Sequence, residues 1–153
     1  MNIPRILIVE DQEAPREALE YAVDTVVPRY DIAYAPESRK TATCYSEASE
    51  LITLNHYDLI LLDHRMPIRP TGNLERDNFD LFSAQLVNVG YGLIPLILQK
   101  NPEVILIGTS SLSRHERADV ASPQYAMSKM WGEAERDLDR IIKERCSEGE
   151  HER

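Results

Sequence analysis

Runs of consecutive apolar residues alternate along the chain with stretches whose apolar positions recur every three or four residues, and this alternation predicts parallel strands separated by helices. Ile6-Leu7-Ile8-Val9 is the first strand-length run and ends in Glu10-Asp11. From Gln12 to Val27, Ala14, Ala18, Tyr21, Ala22 and Thr25 fall at helical spacing, and Pro28 closes that helix. The second strand has two candidates, Asp31 to Ala35 and Lys40 to Cys44, between which the pattern does not choose. Ser46 reads as the cap of a helix over Glu47 to Asn55. Tyr57 to Asp63 is the clearest buried strand and Val104 to Thr109 the next. A weaker strand, Tyr125 to Ser128, leads to Lys129. A last helix over Trp131 to Arg145 puts Ala134, Leu138, Ile141 and Ile142 on one stripe, with Trp131 expected in the core beside it.

The fold class this predicts is α/β, a doubly wound parallel sheet of five strands with helices on both faces. One stretch breaks the rhythm. Between Pro67 and Gly90 lie 22 residues (68–89) that read as an insertion, and connections this long inside a compact domain are often functional. The domain is expected to span 1–146, with Ser147 to Arg153 as a polar, frayed tail.

The 153 residues suit one domain, and 42% apolar with 28% charged residues is the balance of a globular protein in water. The longest apolar runs have strand length and cannot cross a bilayer, and the N-terminal run is broken by Glu10-Asp11, so neither a membrane span nor a signal peptide is expected. The cytoplasm is then the expected compartment, with Cys44 and Cys146 as free thiols. A net charge of −9 opposes direct nucleic-acid binding, which requires a basic surface. His56, His64, His115 and His151 show no metal-ligand spacing, and His64 reads as a solvated residue.

Parallel strands of an open sheet point their C-terminal ends to one edge, where ligands bind near the reversal of strand order. Four of the five expected strands end there in Glu10-Asp11, Asp63, Thr109-Ser110 and Lys129. Two carboxylates about 4 Å apart at an effective dielectric near 20 repel by on the order of 4 kcal/mol. A proton or a cation must relieve that repulsion. Mg²⁺ suits the gap, because it takes one or two carboxylates and completes its shell with water and phosphate oxygens. An ammonium and a hydroxyl opposite would hold the remaining oxygens of a transferring phosphoryl group.

The runs Ile6-Leu-Ile-Val-Glu-Asp11, Leu61-Leu-Asp-His-Arg-Met-Pro67 and Leu106-Ile-Gly-Thr-Ser110, with Lys129 at a strand end, resemble the receiver domain of two-component response regulators over nearly the whole chain. The resemblance implies a flavodoxin-like (βα)5 fold with strand order 2-1-3-4-5. It implies that Asp63 is the phosphoacceptor and that Asp11 is a direct Mg²⁺ ligand, with Glu10 acting through water. The backbone carbonyl of Arg65 is implied as a further ligand, Thr109 as the hydroxyl on the phosphoryl oxygen, and Lys129 as its cationic partner. A sensor histidine kinase or phosphotransfer protein is the implied donor, and a downstream protein the implied target. Because only polar residues follow the last helix, a stand-alone regulator is expected, and homodimerisation through the fourth and fifth elements fits the family. Arg65 and Ser111 occupy positions at which the family tunes dephosphorylation.

The chain also departs from the family. Met130 follows Lys129 where Pro is usual, so no cis peptide is expected there. Ala126 stands where the family usually has its switch aromatic, and Tyr125, one residue off, points to the opposite face of a regular strand. These departures keep open a pseudo-receiver, an interaction module that is not phosphorylated. A hydrolase resembling the haloacid-dehalogenase family is disfavoured, because Arg65 stands where its second Asp belongs.

Overall fold

The computed structural model describes residue 3, residues 5–110 and residues 121–151 of the chain. In chain order, β1 (Ile6–Val9) leads to α1 (Glu13–Val26), β2 (Arg39–Ala42) to α2 (Tyr45–Leu54), and β3 (Leu59–Leu62) to the insertion. β4 (Arg65–Met66) lies just before the insertion, which holds α3 (Leu74–Asp77), α4 (Phe79–Ala84) and β5 (Val87–Asn88). After it come α5 (Ile94–Lys100), β6 (Ile105–Gly108), β7 (Tyr125–Ala126) and α6 (Glu133–His151).

The main sheet is parallel, in the order β2-β1-β3-β6-β7. This is the expected 2-1-3-4-5 order, with β4 and β5 set aside as a separate antiparallel ribbon. Every residue of β1, β3 and β6 is buried, because helices cover both faces, and this is why these strands are continuous apolar runs rather than alternating ones. Ile6, Ile8, Leu59, Leu61, Ile105 and Ile107 pack against α1 and α6. Leu7, Val9, Ile60, Leu62 and Leu106 face the opposite way, toward α2 and α5. Each such side chain contributes about 1.5–3 kcal/mol when fully buried.

The second strand is Arg39–Ala42, which overlaps the later candidate and begins one residue before it. Asp31 to Ala35 is loop, because the Asp31 carboxylate takes the amide protons of Ile3 at 2.8 Å and Ala33 at 3.0 Å, while Ile32 projects into solvent. As an edge strand β2 is largely polar, and Arg39 is held by Asp24 and Glu20 of α1.

Several expectations need correction. The buried stripe of α1 is Ala18, Leu19, Ala22, Val23 and Val26, whereas Tyr21 is exposed, since the larger aliphatic side chains win the core face. Ser46 does not cap α2. The helix starts at Tyr45, two residues earlier than expected, and its first two amides donate to the carbonyls of Pro67 and Ile68, both at 2.9 Å. Glu47 reaches back to the Thr43 amide at 3.0 Å. Trp131 is 56% exposed, paired with Tyr21 at 5.2 Å between ring centroids rather than buried with the α6 stripe. Ala134, Leu138, Ile141 and Ile142 are buried as expected, but α6 runs through His151 where a frayed tail was expected. Ser111 and His115 lie outside the described residues.

Candidate functional site

The register of the sheet brings the acidic strand ends level. Val9 pairs with Leu62, and Leu62 with Gly108, so Glu10, Asp63 and Thr109 leave their strands at the same height. The ladder continues one step beyond the strands: Asp63 N–H donates to Val9 O at 3.2 Å, and Thr109 N–H to Leu62 O at 3.0 Å. All three residues continue the row that faces α1 and α6.

Glu10 is fully buried and Asp63 is 4% exposed. Ligand oxygens of Glu10, Asp11 and Asp63 lie within 4.8 Å of one another. Lys129 Nζ donates to Asp63 Oδ2 at 3.0 Å and to Glu10 Oε2 at 3.1 Å. The other Asp63 oxygen, Oδ1, accepts the His64 amide at 2.8 Å, so both ends of that carboxylate are held. Asp11 Oδ2 and Thr109 Oγ1 are buried and have no hydrogen-bond partner among the described residues. Unpaired buried polar atoms are costly, and two of them at the ends of β1 and β6, on either side of Asp63, mark a place for a ligand.

Burial pushes the Glu10 carboxyl up to about 9, with Asp63 beside it adding to the rise and Lys129 opposing it. Burial and then Asp63 raise Asp11 to about 6. Burial works against the charge on Lys129, yet Glu10 and Asp63 outweigh it and hold the ammonium above its ordinary value. Three buried carboxyl groups thus share one lysine and relieve their repulsion by retaining protons, and a divalent cation fits the place of those protons. Bound there, such a cation would supply positive charge to the carboxylates and to phosphate oxygens.

Arg65 opens β4, paired with Asn88, and its side chain is exposed. His64, read from sequence as solvated, is 2% exposed because the chain returning from the insertion closes over it. Its carbonyl accepts the amides of Val89 at 3.0 Å and Gly90 at 2.8 Å, and its Nδ1 accepts the Tyr91 amide at 2.9 Å. Gly90 is required by proximity: a Cβ there would sit 1.9 Å from the Asp63 carbonyl oxygen.

The insertion also touches the site from the α1 side. Gln12 supplies no side-chain cap to α1, and the Glu75 carboxylate takes the Glu13 amide instead, at 3.1 Å. Arg76 forks onto the Glu13 carboxylate. A cleft of about 350 Å³ lies between, lined by Asp11, Glu13, Arg16, Thr43, Thr71 and Glu75 among others. Sequence reasoning missed Glu75, Arg76, Gly90 and Tyr91. The only signal for any of them was that the insertion both leaves and returns beside Asp63.

No protein-family profile matches the chain, and no curated protein does. Solved structures do. A CheY-like response regulator receiver domain protein from Methanospirillum hungatei superposes with a TM-score of 0.64 at 20% identity, covering 99% of this chain and 100% of that one. The signal receiver domain of an HD domain-containing protein from Pseudomonas fluorescens gives 0.61 at 17%, covering 99% and 100%. A response regulator from Thermotoga maritima, in complex with Mg²⁺-BeF, gives 0.57 at 21%, covering 93% and 98%. No helix among the described residues is long and apolar enough to cross a membrane. The sheet order, the strand-end carboxylates and these superpositions together establish that the chain has the fold of a CheY-like response-regulator receiver domain.

Proposed function

We propose that the chain is a phosphoacceptor response regulator of a two-component system, taking a phosphoryl group onto Asp63. The observation that carries this reading is the buried Glu10–Asp11–Asp63 cluster, bridged by Lys129 and flanked by the unpartnered Asp11 Oδ2 and Thr109 Oγ1. In this reading Glu10, Asp11, Asp63 and the Arg65 carbonyl hold Mg²⁺. An Asp63 oxygen donates a lone pair to the phosphorus of a phosphohistidine. The P–N bond breaks, its electron pair stays on the imidazole, and a proton keeps that leaving ring neutral. Lys129 and the Thr109 hydroxyl turn to the phosphoryl oxygens, so that positioning and charge compensation do most of the work. The donor is a sensor histidine kinase or a phosphotransfer protein, and the output is contact with a downstream protein. The chain acts once per phosphoryl group received and is not a turnover enzyme.

Incubation with acetyl phosphate and Mg²⁺ tests this directly. The expected product is one hydroxylamine-labile phosphoryl group, absent in Asp63→Asn and in the presence of a chelator. If no Asp63-dependent adduct forms, and beryllofluoride with Mg²⁺ leaves the fluorescence of the single Trp unchanged, the chain is instead an unphosphorylated interaction module.

A further inference from the structure

We infer that Tyr91 and His64 form a positioning pair that sets the Asp63 carboxylate relative to the Thr109 hydroxyl. The inference rests on the phosphoacceptor reading and adds two residues to it that touch neither metal nor phosphoryl group.

His64 directly follows the acceptor, and its amide fixes Asp63 Oδ1, which leaves Oδ2 aimed at Lys129. The position of His64 therefore decides how the nucleophile points. That position is set by the returning insertion. The His64 carbonyl accepts two amides, its Nδ1 accepts the Tyr91 amide, and the two rings stack with centroids 4.5 Å apart at 28°. Tyr91 is itself buried. Its far end reaches β6, where a Cβ placed on Gly108 would lie 2.5 Å from the Tyr91 hydroxyl oxygen and 2.6 Å from Pro123 Cγ. Gly108 directly precedes Thr109. One rigid side chain thus spans from the residue after the acceptor to the residue before the hydroxyl.

Close-packed interiors transmit displacement instead of absorbing it. A misplacement of about 1 Å at reacting groups costs on the order of 100-fold in rate. Tyr91 is placed to prevent such a misplacement between Asp63 and Thr109, whose side chains share no hydrogen bond with each other. The two ends of the pair make separable predictions. The stacked ring holds His64, and the hydroxyl abuts Gly108.

The test uses Tyr91→Leu, Tyr91→Phe, His64→Leu and the Tyr91→Leu/His64→Leu double variant of the full chain. Tyr91→Leu and His64→Leu should each slow phosphorylation by acetyl phosphate by ~10-fold, while Mg²⁺ affinity, set by the carboxylates, changes less than about two-fold. The double variant should be no slower than the slower single one, because both act through one contact. With neither donor nor metal, Tyr91→Phe should move the Thr109 amide resonance and leave the Asp63 amide in place, and His64→Leu should move the Asp63 amide. Wild-type rates in both single variants would overturn the pairing, as would a parallel loss of rate and Mg²⁺ affinity. Unmoved amides overturn it even if the wild-type chain accepts no phosphoryl group, the outcome that defeats the phosphoacceptor reading itself. If Tyr91→Leu does not fold, Tyr91→Phe and its amide shifts decide alone.

Discussion

Lys129 Nζ stands 3.0 Å from Asp63 Oδ2, although the strands they follow, β7 and β3, are separated in the sheet by β6. The same ammonium also reaches Glu10, so one cation serves two buried carboxylates. Removing one partner of a buried ion pair costs about 3–5 kcal/mol, because the remaining charge is left uncompensated. Lys129→Met should therefore lower the metal-free stability by about 3 kcal/mol, the low end, since Glu10 already retains a proton up to about pH 9 and Asp63 is the charge left uncompensated. Millimolar Mg²⁺ should return more stability to this variant than it adds to the wild type. Urea unfolding with chelator and with Mg²⁺ measures both. An equal Mg²⁺ increment in the two proteins would mean that lysine and metal do not share the same carboxylates.

Glu10 titrates near 9 and Asp11 near 6 in the folded chain, against ordinary values of 4.5 and 3.8. The folded state therefore binds more protons than the unfolded state across this range. The stability linked to this protonation is complete below the ordinary values and is lost as pH rises, for Asp11 through about 6 and for Glu10 through about 9. The urea midpoint without metal should fall steadily from pH 5 to pH 8. Saturating Mg²⁺ should flatten or reverse that slope, because the cation takes the place of the protons. A metal-free midpoint that rises over the same interval would contradict the buried, proton-retaining cluster.

Gly90→Ala should be among the most damaging single methyl additions in the chain. The new carbon would meet the Asp63 carbonyl oxygen at 1.9 Å and His64 Cα at 2.9 Å, both backbone atoms that cannot rotate away. Overpacking a tight site costs about 1–3 kcal/mol where side chains yield, and more where only backbone is available to move. A denaturant midpoint close to wild type would show that the insertion returns by another path. Gly92→Ala is the control, since a Cβ there meets nothing within 4 Å.

How much of this was legible in the sequence follows from the range of the interactions involved. β1, β3 and β6 are buried on both faces, so their composition alone marks them, and their acidic or hydroxyl-bearing ends come with them. β2 is an edge strand of mixed exposure, which erases the apolar signal and left two candidates open. The α1 face was misassigned because helical spacing fits several stripes, and only the partner α6 selects the one with Leu19, Val23 and Val26. The cap of α2 and the burial of His64 were illegible for a different reason. Both depend on chain returning from elsewhere, the carbonyls of Pro67 and Ile68 in one case and Val89 to Tyr91 in the other.

The contact of Glu75 with the Glu13 amide, 62 residues away, ties the insertion to the first turn of α1 beside Asp11. Arg76 reinforces it from the same short helix through the Glu13 carboxylate, which its guanidinium holds below the ordinary range. Arg76 and Glu13 are open to solvent, so global stability should barely register their loss. The local effect should be clear. In Glu75→Ala the Glu13 amide loses its acceptor, and its hydrogen exchange should become faster than in wild type, together with that of α3. Arg76→Ala should speed exchange in α3 and spare the Glu13 amide, because the Glu75 carboxylate remains to cap it. Amide exchange followed by NMR separates the two variants, and identical profiles would show that the insertion is held by its ribbon and the α2 contacts alone. High salt should mimic Arg76→Ala, since exposed ion pairs are screened while a backbone amide capped by a carboxylate persists.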